Sequence, residues 1–275
     1  MDGELIVIEP PRGWRGLGLR ELAGARELLG FLMWREIRVR YAHTTLGVLW
    51  TVLQPLATMA LFTVVFARLG GVASDGVPYP LFALVGLVTW TYVSSAISGA
   101  ADSLIANPTL VTRVYFPRLV IPLAPVGAGL LDLAVAGVLL VFALAWYGIM
   151  PSLARVWLII PATALLVVAT AGLGILLSAI NLRFRDARYT IPFALQLWFF
   201  ASPIAWSTAS LPDRWRSLFA INPLSGIIEA YRAALLPAAP LDPSHLAGAA
   251  VVSVLLLVGG VSYFRRAERS FADIA

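Results

Sequence analysis

Six stretches of the chain, 46–67, 81–101, 119–147, 156–180, 190–206 and 246–264, are apolar over roughly the length needed to cross a bilayer. Spanning about 30 Å of hydrocarbon takes ~20 helical residues, and a helix satisfies every backbone N–H and C=O within its own segment. The expected fold is therefore all-α: a polytopic membrane protein with six transmembrane helices. The third stretch is long enough to tilt, and Pro122 and Pro125 near its start predict a kink. The fifth is the shortest and is broken by Ser202-Pro203. Composition agrees: 60% of the 275 residues are hydrophobic and 13% charged, where soluble domains run near ~45–50% and ~25%.

Missing residue types narrow the chemistry. There is no cysteine, so thiolate metal sites, disulfides and cysteine nucleophiles are excluded. The two histidines, His43 and His245, are too few for a histidine-rich metal cluster. Lysine is absent as well, and all 20 basic residues are arginine. The chain thus lacks the lysine with which a phosphate-binding loop holds a nucleotide.

The arginines also set the orientation. With a cytoplasmic N-terminus, the inside segments hold seven arginines before residue 47, two in 102–118, three in 181–189 and three after 264. The outside segments hold only Arg68, Arg155, Arg214, Arg216 and Arg232. The positive-inside rule then places both termini in the cytoplasm. Topology rather than nucleic-acid binding explains a pI near 10.0. The first 45 residues show no signal-peptide pattern of an apolar core and cleavage site. The expected organisation is a cytoplasmic N-terminal region at 1–45, a transmembrane domain at 46–264 and a cytoplasmic tail at 265–275.

Three segments between spans carry patterns of their own. Residues 19–41, LRELAGARELLGFLMWREIRVRY, read as an amphipathic helix with Leu22, Ala25, Leu28, Leu29, Leu32, Met33, Ile37 and Val39 on one half of the wheel. It suits the membrane interface, with its arginines toward anionic lipid headgroups; packing on another subunit is the alternative. In 106–118, Asn107 and Pro108 form a helix start, and Pro117 ends the helix. Leu110, Val111, Val114, Tyr115 and Phe116 give this short helix an apolar surface suited to docking, or to lying back on the membrane. Beyond the fifth stretch, Asn222-Pro223 starts a second capped helix that ends before Pro237. It is too short to span, and Glu229 and Arg232 are spaced to pair across one turn. The segment 211–219 suggests another short helix, started by Pro212.

These segments are also where the chain resembles a known family. WREIRVRYAHTTLGVLWTVLQPL (34–56), DGVPYPLFALVGLVTWTYVSSAI (75–97), NPTLVTRVYFPRLVIPL (107–123), NLRFRDARYTIPFALQLWFFASPI (181–204) and INPLSGIIEAYRAALL (221–236) are similar to permease subunits of bacterial polysaccharide ABC exporters. These are type-2 export permeases for O-antigen, teichoic acid or capsule. The resemblance implies six spans, an N-terminal interface helix and two short re-entrant helices before the last span. It implies a homodimer in the inner membrane, bound to two copies of a separate ATPase that brings the ATP and magnesium, with no cofactor in this chain. It assigns the ATPase-coupling segment to Asn107, Pro108, Leu110, Arg113, Val114, Tyr115, Phe116 and Arg118. The implied cargo is a lipid-linked polysaccharide.

For such a cargo, aromatic side chains can hold the apolar faces of sugars while letting them slide. Trp90, Tyr92, Trp198, Phe199 and Phe200 are candidates for a conduit lining, with core packing as the alternative; Trp206 fits an interface belt. Asp132 is the lone acid well inside a span, with Gln54 and Gln196 as further intramembrane polar residues. Asp132 suits either a polar conduit wall or a structural hydrogen bond, in the protonated form, to a neighbouring helix. No intramembrane base is evident as its partner, which argues against a proton relay. A type-2 permease for a drug or lipid is the alternative within transport. A membrane-embedded glycan-processing enzyme would need a cluster of acids or histidines that the sequence lacks, and an ion-driven flippase would need several intramembrane charges.

Overall fold

The computed structural model describes residues 19–42, 47, 49–71, 76–113, 116–208, 212, 219, 221–237, 242–268 and 271. Every regular element among them is helical: α1 (Leu19–Gly24), α2 (Arg26–Tyr41), α3 (Leu49–Phe62, continued as a π turn over Thr63–Leu69), α4 (Tyr79–Ala106), α5 (Pro108–Arg113), α6 (Val120–Trp146), α7 (Ile159–Arg183, preceded by a 3-10 turn at Val156–Leu158), α8 (Ala187–Phe200), α9 (Pro223–Leu235) and α10 (Pro243–Ala267). The segment 211–219 expected as a short helix lies largely outside the described residues, as do 1–18 and 43–46.

Among the described residues, five helices are long and apolar enough to cross a membrane: Leu49–Leu69, Tyr79–Ala106, Val120–Trp146, Val156–Arg183 and Pro243–Ala267. The stretch expected as the fifth of six spans behaves differently. α8 has 14 residues, about 21 Å at 1.5 Å per residue, which is short of the hydrocarbon thickness. It stops at Phe200, just before Ser202-Pro203, because the residue preceding proline is disfavoured in helix. The backbone that follows is irregular, yet Ser202, Ile204 and Ala205 are buried. Irregular backbone at membrane depth requires partners from surrounding protein, and side chains supply them here. Asn222 Nδ2 donates to the Ala201 carbonyl (3.0 Å), Arg232 Nη2 to that of Ile204 (2.9 Å) and the Tyr79 hydroxyl to that of Ala205 (2.8 Å).

α4 is the central helix, packed against α6 and α7. α7 and α10 cross closely enough to exclude side chains: a Cβ at Gly172 would lie 2.4 Å from the Leu257 nitrogen, and one at Gly260 2.2 Å from the Gly172 oxygen. Small residues at a crossing let membrane helices gain backbone-to-backbone van der Waals contact.

The end of α4, α5, the start of α6 and the ends of α7 and α10 converge at one end of the bundle. Leu104, Val111, Leu119, Ile175, Phe264 and Phe271 form a common core there. Arg118, Arg183, Arg185, Arg188, Arg265 and Arg266 belong to this basic end. The expected single helix over 19–41 divides at Gly24–Ala25 into α1 and α2. Leu32 of α2 is buried against Val120 and Ala124 of α6, while Phe31, Trp34 and Val39 stay exposed, so α2's apolar residues are shared between two sides.

Candidate functional site

At the basic end, the Asn107–Arg118 segment is anchored more firmly than a loose docking loop. The Asn107 carbonyl accepts the first hydrogen bonds of α5 from Leu110 and Val111. Its side chain does not cap α5. Nδ2 donates back to the Ser103 carbonyl (2.8 Å), and Oδ1 accepts from Arg35 of α2 (2.8 Å). Val111 is fully buried, Leu110 and Phe116 pack on the bundle and on α2, and Arg118 donates to the Glu268 carbonyl (3.0 Å). The apolar residues expected to form a docking face thus include three that anchor the segment instead, leaving Pro108 and Thr109 at its exposed start. Val114 and Tyr115, and the side chain of Arg113, lie outside the described residues.

Asp132 has a base as partner, contrary to the sequence expectation. Its carboxylate accepts from the Arg40 guanidinium and from the Tyr41 hydroxyl, which also lies 3.3 Å from Thr51 Oγ1. The base comes from α2, 92 positions upstream, so no sequence spacing links it to Asp132. α2 runs along the first half of α6, with Met33 seated on Gly127, and so delivers Arg40 to the level of Asp132. The reading of a structural contact to a neighbouring helix fits, with Arg40 and Tyr41 as the partners.

Gln54 and Gln196 are both exposed, one on α3 and one on α8. Between these helices the aromatics form one cluster. The rings of Trp90 and Trp198 meet edge-on at 5.9 Å, as do Trp90 and Phe199 at 5.4 Å and Phe199 and Phe200 at 5.2 Å, while Phe62 lies 5.8 Å from Phe199. Phe200 is 63% exposed. Tyr92 does not join them. It is buried between α4 and α6, its hydroxyl donating to the Val126 carbonyl (3.2 Å), and its ring lies where a Cβ on Gly129 would meet it. Tyr92 is core because it lies two residues, about 200° around α4, from Trp90, which puts it on the face that meets α6 and not on the face that meets α8. Trp206 stacks edge-on with Phe219 at 5.0 Å.

Asn222 joins the aromatic cluster to α9. Oδ1 accepts from the Leu224 N–H (3.1 Å), the expected cap, and also from Trp198 Nε1 (3.0 Å). Nδ2 donates to the Ala201 carbonyl and to Ser202 Oγ, both at 3.0 Å. The sequence signalled only the cap; the other three bonds depend on where α8 ends.

All of α9 is buried, which fits a re-entrant helix enclosed by protein. The expected pairing of Glu229 with Arg232 is replaced by longer-range contacts. Glu229 meets His245 Nδ1 of α10 (2.8 Å) and accepts from the Thr208 hydroxyl. Arg232 donates to the Phe82 and Ile204 carbonyls, its guanidinium 3.4 Å from the Phe82 ring centre. Burial decides this, since both side chains must find partners on the elements that enclose the helix.

The chain is 33% identical over 262 residues to the O-antigen export system permease protein RfbA of Myxococcus xanthus, covering 93% of this chain and 98% of that protein. It is 32% identical to the O-antigen export system permease protein RfbA of Klebsiella pneumoniae, covering 90% and 95%. The polysialic acid transport protein KpsM of Escherichia coli is 26% identical, over 87% and 93%. Residues 27–236, which run from α2 through α9 and include Asp132, the aromatic cluster and Asn222, match the ABC-2 type transporter family. With five membrane-length helices, an N-terminal helix tied into them and a buried helix before the last, this chain belongs to the ABC-2 type transporter family.

Proposed function

We propose that the chain is the membrane subunit of an ATP-driven exporter that carries a lipid-linked polysaccharide across the bacterial inner membrane. The observation that carries this reading is the near full-length similarity to permeases named for O-antigen export and polysialic acid transport. Two copies of the chain work with two copies of a separate ABC ATPase, which holds ATP and magnesium. The basic end is cytoplasmic, as the arginine distribution favours.

The geometry supports a conduit between two copies. A glutamine facing lipid leaves its amide without hydrogen-bond partners, which is costly in hydrocarbon. Gln54 on α3 and Gln196 on α8 are exposed in the single chain, so their faces suit a second subunit or a hydrated path. The cluster of Trp90, Trp198, Phe199 and Phe200 borders the same region and offers rings on which sugar faces slide without fixed register. The Asn107–Arg118 segment is fixed to α2 and to the bundle core, so force applied there by an ATPase reaches the spans.

The test is deletion of the gene in its host, with surface glycan and cytoplasmic lipid-linked glycan both measured. The expected result is loss of surface glycan with accumulation inside, restored by the wild-type chain. Unchanged surface glycan contradicts the proposal.

A further inference from the structure

At the basic end, α4, α5, α7 and the start of α8 border an open-mouthed cavity of about 200 Å³ lined by Leu104, Pro108, Asn181, Arg185 and Arg188. Asn181 is 98% buried by its 2% exposure, and its orientation is fixed: Nδ2 donates to the Ala101 carbonyl and to Asp102 Oδ1, both at 3.0 Å. Oδ1 is thereby left without a hydrogen-bond partner. A buried acceptor in this state is uncommon and costs about 1–3 kcal/mol, so a donor at this position has something to satisfy. Arg185 and Arg188 are exposed and form no ion pair with a described carboxylate. The adjoining Phe184 and Tyr189 are 52% and 78% exposed, which suits a rim at the lipid interface.

We infer that this cavity binds the phosphate headgroup of a membrane-borne lipid, with the phosphate on Arg185 and Arg188 and an adjacent hydroxyl donating to Asn181 Oδ1. Guanidinium forks match phosphate oxygens in pairs, and basic pockets between membrane helices are known to take lipid headgroups. The exposed aromatic rim favours a ligand whose tail stays in the bilayer. Two sources share this chemistry: a glycosyl diphosphate on a polyprenyl carrier, and an ambient phospholipid such as phosphatidylglycerol. The cytoplasmic placement rests on the proposed function; the binding chemistry does not.

The experiment uses the full chain with its ATPase subunit in phosphatidylcholine nanodiscs, with binding read by native mass spectrometry. Three probes are compared: farnesyl diphosphate carrying N-acetylglucosamine, phosphatidylglycerol, and phosphatidylmethanol, which has the charge but no hydroxyl. Arg185→Gln with Arg188→Gln is expected to weaken the preferred probe about tenfold, while Arg265→Gln with Arg266→Gln at the same end leaves it within twofold. Phosphatidylmethanol is expected to bind more weakly than phosphatidylglycerol. Preference for the glycosyl diphosphate identifies the carrier lipid as the ligand, and preference for phosphatidylglycerol identifies an ambient lipid; either supports the site. Equal losses in both arginine pairs mean general basic attraction and overturn it. Unchanged lipid binding with loss of the ATPase subunit makes the arginines a protein contact and also overturns it. Binding lost in the double variant of a chain that exports no glycan leaves the site standing and the functional reading fallen. Glycan export with no effect on binding does the reverse.

Discussion

α3 and α4 are neighbouring apolar helices of membrane length, yet 72% of α4's most apolar window is buried within the chain and only 11% of α3's. α4 is held on several sides by α6, α7 and α9, and its residues from Leu81 to Leu87 are almost entirely covered. α3 and the shorter α8 lean on the bundle along one side and leave polar residues exposed. Hydropathy places both kinds of helix in the membrane, and only packing tells the buried framework from the exposed side. Asp132 and Gln54 make the contrast sharpest. Both are polar and intramembrane, but one is buried on Arg40 and Tyr41 and the other is exposed.

The largest effect should come from breaking the framework's ion pair. Asp132→Ala leaves the Arg40 guanidinium without its carboxylate; losing one partner of a fully buried pair costs about 3–5 kcal/mol, and with the Arg40 side chain 30% exposed the expected cost is about 2–3 kcal/mol. The expected outcome is a sharply lower melting temperature and yield in detergent. Arg40→Leu added to Asp132→Leu should recover much of the loss, because two matched apolar residues leave no charge stranded. Gln54→Leu should change the melting temperature of the single chain by the equivalent of about 0.5 kcal/mol or less.

Next in size is Gly172→Leu, where the Leu257 backbone stands in the way of any side chain. Overpacking of this kind costs about 1–3 kcal/mol or more, read as loss of the monodisperse peak in size-exclusion chromatography. Gly137→Leu on α6, where nothing lies within 4 Å, should leave that peak intact. Equal behaviour of the two glycines would erase the distinction between packed and open helix faces.

Asn222→Ala should fall in the middle. It removes the helix cap and frees the Ala201 carbonyl and Trp198 Nε1, at about 1–3 kcal/mol. Proteolysis within 201–222 should rise before global unfolding, since the irregular backbone loses a tie. The smallest effect on stability is expected from Trp198→Leu. It refills much of the space but loses the Nε1 bond to Asn222 and the edge-on contact with Trp90, at about 1 kcal/mol, so surface glycan per unit of folded protein should fall by far more than this modest drop in stability accounts for. A fall in dimer yield with an unchanged export ratio would make Trp198 a packing residue.

The regions most legible in the sequence were those whose structure is decided locally. The stretches 81–101, 119–147 and 246–264 became Tyr79–Ala106, Val120–Trp146 and Pro243–Ala267, because a membrane helix satisfies its backbone within itself. Asn222 and Pro223 announced α9 for the same reason; the Asp242 side chain that accepts from the Ser244 N–H (2.8 Å) at the start of α10 is a local cap seen only in the structure. What stayed hidden depended on distant partners. The ion pair of Asp132 needs α2 to lie along α6. Glu229 reaches His245 and not Arg232 because α9 is enclosed by α10 and α4. The end of α8 is tolerable only because Tyr79, Asn222 and Arg232 converge on three carbonyls. The aromatic run at 198–200 signalled a cluster, but Tyr92's place in the core depends on which face of α4 meets α6.

The proposed meeting of two copies across α3 and α8 can be measured directly. The chain has no native cysteine, so Gln54→Cys, Gln196→Cys and Phe142→Cys can be compared one at a time in native membranes with a short bifunctional maleimide. Phe142 is 70% exposed on α6 and serves as the lipid-facing control. The predicted result is a cross-linked dimer from position 54 or 196 and none from 142. Cross-linking at 142 alone, or equally at all three positions, would contradict it.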